Sequence, residues 1–545
     1  MDKHSLPKQI DSCSSLFLRM KAFEFISRTY QKYFTRHVSG LNLGINLSTI
    51  FVMTLLLCQC QPVDQPATET NHSGKELVET YCQSCHLSVA PEQLPKVVWE
   101  REVLPKMAAR MGLNIGPMAF TEQLKQQHLF LEYSQLSLEE WAQIQGYLLG
   151  QAPILLPVSN ENSQIVEITD FDTFIPDLPE VNPLTTLLHV DEAQRGILFG
   201  NHSTESLHFL ESETGKQSIF STGGVPVDFL YMDDKLFVLN MGQVMPHNDS
   251  MGNLVSMNVL DRQLKVDQTI IPGLKRPVHM NINDLNGDGN EDLVVCNFGN
   301  LNGSLEWYDN FTSGNPEKHV LRNLPGAIKT SIVDANDDGR SDIIALMAQG
   351  DEGFFLYLNE GNGAFAEQRL LRFPPSHGST YFELTDWNDD GYPDILYVNG
   401  DNGDYFPVVK GYHGIRIFLN DGHYQFSEEL FLPLPGAFKA IIEDYDQDGD
   451  NDIAAISYFP DYNQEVIQDF VLFRNDGSDS FTREVLGESN QGKWLTMDAG
   501  DMDGDGDVDI VLGSAIFMQV EVPREIQLKW RQSAPPLVIL KNLKN

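Results

Sequence analysis

The chain has 545 residues, 41% of them hydrophobic, and a formal net charge of −40 from 77 acidic against 37 basic side chains. That length exceeds what one hydrophobic core normally serves, so two or more domains are expected. A charge so negative excludes nucleic acid and anionic lipid surfaces as electrostatic partners of the folded part, and points to bound cations instead.

Residues 1–60 read as a leader. The first 40 carry seven Lys/Arg against three acids, and Leu41 to Leu57 then forms an apolar run broken by Asn42, Gly44, Asn46, Ser48 and Thr49. A positive n-region, an h-region and a terminal cysteine describe a lipoprotein signal. Leu55-Leu-Leu-Cys58 and Leu57-Cys-Gln-Cys60 both lack the small residue expected before the cysteine. Lipidation is expected at Cys58 or Cys60, with an uncleaved anchor or simple secretion as alternatives. The n-region is long enough for translation to begin at Met20. Every option exports the protein, as a periplasmic or outer-membrane lipoprotein of a bacterium in the leading one. Residues 61–73 are polar, contain two prolines and read as a tether.

Cys82-Gln-Ser-Cys85-His86 follows, two thiols three residues apart and then a histidine. This is the spacing of covalent haem attachment: each sulfur adds to a vinyl group, and the imidazole reaches the iron. No second cysteine pair completes a zinc site, and no βαβ pattern suggests a redox dithiol. Cys296 sits alone in an apolar strand pattern, so no disulfide framework is visible. A small helical cup is expected around the pentapeptide. Leu77, Val78 and Tyr81 form one stripe leading into Cys82. Ser137-Leu-Glu-Glu140 reads as a capping box, followed by Leu138, Trp141, Ile144 and Leu148 at helical spacing until Pro153.

Residues 74–153 thus resemble a class I cytochrome c domain, whose first and last helices cross. Val103-Leu-Pro-Lys-Met107-Ala-Ala-Arg-Met111-Gly112 is similar to the "VLPxMxxRLG" stretch of cytochrome domains fused to repeat domains. That resemblance favours Met107 as sixth iron ligand beside His86; Met111, Met118 and His128 are the alternatives. Thioether ligation raises a haem's potential and bis-imidazole ligation lowers it.

Beyond a short linker, 154–163, the chain becomes repetitive. Five segments share D-x-[DN]-x-D-G-x-x-D, with first aspartates Asp284, Asp334, Asp386, Asp444 and Asp501, spaced 50 to 58 residues apart. Position three holds Asn286, Asn336, Asn388, Asp446 and Asp503; position five Asp288, Asp338, Asp390, Asp448 and Asp505; position nine Asp292, Asp342, Asp394, Asp452 and Asp509. Hard oxygens at positions one, three and five, a turning glycine at six and a closing carboxylate follow the logic of a calcium loop. Alternating runs before each loop and β-rich runs after it place the loops between strands. A single copy would read as a solvated Asp-Gly turn; five in phase predict about five Ca²⁺ ions. Each repeat then carries an aromatic strand and usually an Asn-x-Gly turn (Asn359-Glu-Gly361, Asn420-Asp-Gly422, Asn475-Asp-Gly477).

Together these features resemble the FG-GAP or VCBS repeats of integrin-α-like proteins, which implies a β-propeller over 164–545 with metal in its blade loops. Two upstream stretches with the strand pattern but no Asp loop read as two metal-free blades, giving about seven. Gln164–Ile168 is expected to complete the last blade beside Leu537–Leu540, which would remove an exposed edge.

The fold class expected is therefore a small all-α cytochrome c domain followed by an all-β seven-bladed propeller. The leading function is an exported haem c electron-transfer protein whose calcium-binding propeller docks a redox partner or ligand. A periplasmic dehydrogenase passing substrate electrons to its own haem, and a surface adhesion or glycan-binding lipoprotein, are the alternatives. No hydrolytic constellation is visible. Five residues before each first aspartate stand His279, Lys329, Tyr381, Lys439 and Thr496, with Lys493 just upstream of the last. On inner strands these positions would ring one channel mouth and funnel a small anionic ligand or an acidic protein loop.

Overall fold

The computed structural model describes residues 73–157, 165–178, 181–232, 235–260, 263–403, 407–477, 480–517 and 522–544. The leader, Cys58 and Cys60 lie outside the described residues. Among the described residues, no helix is long and apolar enough to cross a membrane.

The first helical segment, Gly74–Leu77, starts at a capping box in which Ser73 Oγ accepts the Glu76 amide and Glu76 returns the bond to the Ser73 amide. It continues with a wider turn through Val78–Cys82. Short segments at Lys96–Val98 and Trp99–Val103 lead into Leu104–Arg110; Met118–Gln126 and Leu138–Gln151 follow. The expected Ser137–Glu140 capping box opens the last helix. Its Trp141, Ile144 and Leu148 are buried, but Leu138, at the first helical position, is 63% exposed. Leu77, Val78, Trp99, Leu104 and Trp141 share one core. The first helix packs on the last through Gly74, where a Cβ would collide with Gln143 and Tyr147.

The remainder is a seven-bladed propeller. Blades one and two run from Thr185 to Ser221 and from Pro226 to Leu274, and neither contains an Asp loop. Blades three to six start with the inner strands Pro277–Asn283, Ala327–Val333, Ser379–Thr385 and Ala437–Glu443; blade seven starts with Trp494–Gly500. Inside each blade the strands pair antiparallel in chain order. The second strands are buried on both faces, as in Asp342–Met347 and Asp452–Ser457, because neighbouring blades cover each side.

The closure differs from the sequence expectation. Ile165–Glu167 does not complete the last blade; it joins blade six as a fifth strand, parallel to Phe481–Val485. Phe171–Phe174 closes blade seven, antiparallel to Leu537–Asn542. The chain first meets the outer edge of blade six and reaches blade seven only after turning at Thr169–Asp170, so the later, aromatic segment takes the closing position.

Every Asp loop joins a first strand to a second, so all five leave the same end of the propeller. The loops joining second to third strands leave the opposite end, and there the helical unit docks. Tyr412 Oη donates to the Gln93 carbonyl at 3.0 Å. Asn302 Nδ2 donates to Gln127 Oε1 at 2.9 Å. Leu301 packs on Ala109 and Leu124, and Val408 on the helical core.

Candidate functional site

The five loops share one backbone plan. The first aspartate draws the chain around itself: Asp284, for example, accepts the amides of Gly287 (2.8 Å), Asp288 (3.1 Å) and Gly289 (2.9 Å). The sixth residue takes the left-handed conformation in every copy, with φ from 81° to 101°, which is why glycine is required there. The ninth aspartate is fully or almost fully buried and latches two strands. Asp342 Oδ2 accepts the Ala335 amide at 2.9 Å and Oδ1 the Asn359 amide at 2.6 Å. The same pair of bonds recurs at Asp292 and Asp394.

The third position divides the loops. In blades three to five the amide oxygens of Asn286, Asn336 and Asn388 accept the amide two residues on, at 2.9, 3.1 and 3.2 Å. In blade six, Asp446 Oδ2 lies 3.7 Å from Arg474 Nη1, and in blade seven Asp503 Oδ2 lies 3.0 Å from Lys541 Nζ. Their Oδ1 atoms are buried without a partner among the described residues, as are both oxygens of Asp507. The ligand atoms of Asp444, Asp446 and Asp448 all lie within 4.8 Å of one another, as do those of Asp501, Asp503 and Asp505. Burial pushes the Asp452 and Asp509 carboxyls up to about 6, against the pull of their backbone hydrogen bonds. Burial and then the neighbouring Asp505 push Asp507 to about 7. Converging carboxylates with orphaned oxygens fit a hard cation. Asp507 was missed from sequence because it fills an unconstrained position of the repeat.

At the other end, Cys82 closes the first helix, half-buried beside Tyr81, while Cys85 is exposed. His86 Nδ1 pairs with the Leu87 carbonyl at 2.8 Å, which fixes that nitrogen as donor and leaves Nε2 as the ring's lone-pair atom. Met107 and Met111 both pack on the same helical core. Met118 is 83% exposed, and His128 sits at a left-handed turn with φ of 57° after the Met118–Gln126 helix. Two thiols, an imidazole with an available Nε2 and thioethers on one core fit the donor set of a haem c.

The channel positions align as expected: His279, Lys329, Tyr381, Lys439 and Thr496 each pair with the same rung of their second strands. Lys329 Nζ lies 4.1 Å and Lys439 Nζ 5.2 Å from the Tyr381 ring centre. Burial, and next the charge of Lys439, lowers the Lys329 ammonium to about 8. The ring is of mixed charge rather than cationic. Asp228 occupies the same position in blade two, where its carboxylate takes His279 Nδ1 at 3.0 Å. Glu383 and Asp498 stand one layer deeper; Asp498 faces His189 at 3.4 Å. Lys493 lies elsewhere, buried on the rings of Tyr458 and Phe459 at 4.1 and 4.8 Å.

The fold and its loops define a seven-bladed β-propeller carrying FG-GAP-like repeats: residues 334–397 and 444–512 match the FG-GAP-like repeat family. A T-cell immunomodulatory protein homolog of Plasmodium falciparum (isolate 3D7) is 30% identical over 137 residues, which cover 22% of this chain and only 18% of that protein. Among solved structures, the calcium-binding protein regucalcin of Agrobacterium tumefaciens str. C58 aligns with 70% of this chain and 96% of its own at 10% identity and a TM-score of 0.36. Sqt1 of Saccharomyces cerevisiae aligns with 70% and 99% at 9% identity and a TM-score of 0.39.

Proposed function

We propose that the protein is an exported electron carrier, with haem c on its helical unit and a calcium-stiffened propeller that docks a redox partner or ligand. The observation that carries this reading is the pentapeptide Cys82–His86 at the end of a helix locked against the Leu138–Gln151 helix. Cys82 and Cys85 would hold the porphyrin by thioether bonds, and His86 Nε2 and the Met107 sulfur would supply the protein ligands of its iron. Bound there, the group supplies reversible one-electron exchange. The helical core around Leu77, Trp99 and Trp141 excludes water from one side, and the Leu87 carbonyl holds His86 in its ligating tautomer. Calcium would sit in the Asp loops at the far end of the propeller, held through loop positions one, three and five with the ninth aspartate bracing the loop. Export by a lipoprotein leader, with lipid on Cys58 or Cys60, belongs to the same reading.

The channel cluster favours a second reading, in which a small ligand in the channel is oxidised. Lys329, Tyr381 and Lys439 stand third on inner strands that begin at the end of the propeller carrying the helical unit. Replacing Cys82 and Cys85 together by Ala tests the first reading. Covalent haem should vanish from the purified protein, and its survival in the double variant refutes the assignment. Anaerobic haem reduction by sugars, alcohols or other small substrates would establish the second.

A further inference from the structure

The outer hairpin of blade three carries a group of side chains that the repeat pattern does not explain. Asp309 ends the third strand and Glu317 begins the fourth, directly opposed in register, while Trp307 opposes His319 two residues on. Strand alternation puts all four on one face. The ligand atoms of Asp309, Glu317 and His319 lie within 4.8 Å of one another. The His319 ring stacks on the Trp307 indole at 4.2 Å and 16°, which fixes its plane. Asn286 Nδ2 donates to Asp309 Oδ1 at 3.1 Å, leaving Oδ2. Among the described residues, Glu317 and His319 side chains have neither a hydrogen bond nor a salt bridge.

The triad's own charges and a comparison between blades both favour a cation there. Carboxylates directly opposed on a sheet repel each other. Asp309 precedes Asn310, whose amide reaches the ninth aspartate of its loop; the residues equivalent to it in blades six and seven are Arg474 and Lys541. Blade three thus sets an acid where those blades set a cation of their own. Next to the triad, a cleft of about 400 Å³ opens between blades three and four, lined by Trp307, Lys318, His319, Tyr357, Phe365 and Glu367, among others; the Lys318 ammonium is turned to Glu306 at 3.2 Å. Of the triad, His319 alone borders this cleft.

We infer that Asp309, Glu317 and His319 form a binding site for a divalent transition-metal ion, zinc above all, distinct from the all-oxygen loops. One imidazole nitrogen and two carboxylates match zinc's donor set, whereas calcium takes oxygen. Three protein ligands would leave zinc's fourth tetrahedral position to a water. The site does not depend on the haem assignment.

The test titrates EDTA-treated full-length protein with zinc sulfate in excess calcium, reading bound zinc by elemental analysis after gel filtration and the emission of the stacked Trp307. Wild type should bind one zinc more than His319→Gln, with the Cys82–His86 stretch intact in both. The emission change should be absent in the variant, and Asp309→Asn should weaken binding roughly tenfold or more. All three side chains lie on the hairpin surface, so unchanged metal-free melting of both variants certifies their folds. Equal zinc stoichiometry and affinity in wild type and His319→Gln would overturn the site, as would displacement of the zinc by calcium alone.

Discussion

The Asp loops of blades three to five and those of blades six and seven share a pattern but differ in how the third residue is used. In the first group an asparagine oxygen is spent on the loop's own backbone. In the second, an aspartate gives one oxygen to Arg474 or Lys541 and keeps the other buried and unpartnered. Equal spacing therefore does not mean equal electrostatics. The basic residue offsets the added charge and orients the carboxylate, so blades six and seven present three pointed carboxylates at positions one, three and five where blades three to five present two and an amide. Ligand charge and rigidity tune calcium affinity, so the propeller should bind calcium in two classes, with the tighter pair in its last two blades.

Removing all cations probes both groups at once and should have the largest effect. Exhaustive chelation is expected to lower the propeller's melting temperature by roughly 10 °C or more, each emptied site withdrawing about 1–2 kcal/mol by mass action. Calorimetry with and without calcium measures it, and an unchanged melt would reduce the loops to solvated turns. Next comes the latch that both groups share. Asp342→Ala strands two buried amides and should cost about 3 kcal/mol in urea unfolding, with or without calcium. Asp503→Asn sharpens the difference between the groups. It should weaken one of the two tight calcium steps roughly tenfold in a calorimetric titration and leave the weaker class untouched.

The pH dependence separates the groups further. The Asp452 and Asp509 carboxyls, raised to about 6 by burial, bind protons more tightly in the fold than in the unfolded chain, where an aspartate titrates near 4. Without metal, their contribution favours the fold at acid pH and is lost as pH rises from about 4 through 6. Relative to Asp509→Asn, the chelated protein should thus lose stability between about pH 4 and 7, and calcium should abolish that slope. The smallest effect lies at the opposite end. Tyr412→Phe removes one hydrogen bond to Gln93 and should loosen the helical unit by about 1 kcal/mol, seen as faster amide exchange there.

What could be read from the sequence followed repetition and contiguity. The inner-strand ring at His279, Lys329, Tyr381 and Lys439 emerged because five copies fix one register. The role of Asp342 as a strand latch did not, since its second amide partner, Asn359, comes 17 residues later and only pairing brings it back. Asp228 belongs to a blade without the Asp pattern, so nothing aligned it with His279, and the ring looked cationic. Arg474 and Lys541 lie in blades that do carry the pattern, but at the variable position before the Asn that bonds the ninth aspartate, so the repeat did not mark them. Phe171–Phe174 and Ile165–Glu167 are both short strands a few residues apart; which one closes the last blade is decided by chain path, not by local pattern.

The most direct measurement is mass spectrometry of the peptide that contains Cys82 to His86, taken from protein produced in a host able to attach haem outside its cytoplasm. Covalent attachment requires a peptide heavier by one haem, with both thiols consumed and resistant to alkylation. Recovery of that peptide without haem, with Cys82 and Cys85 both free to alkylate, would contradict it.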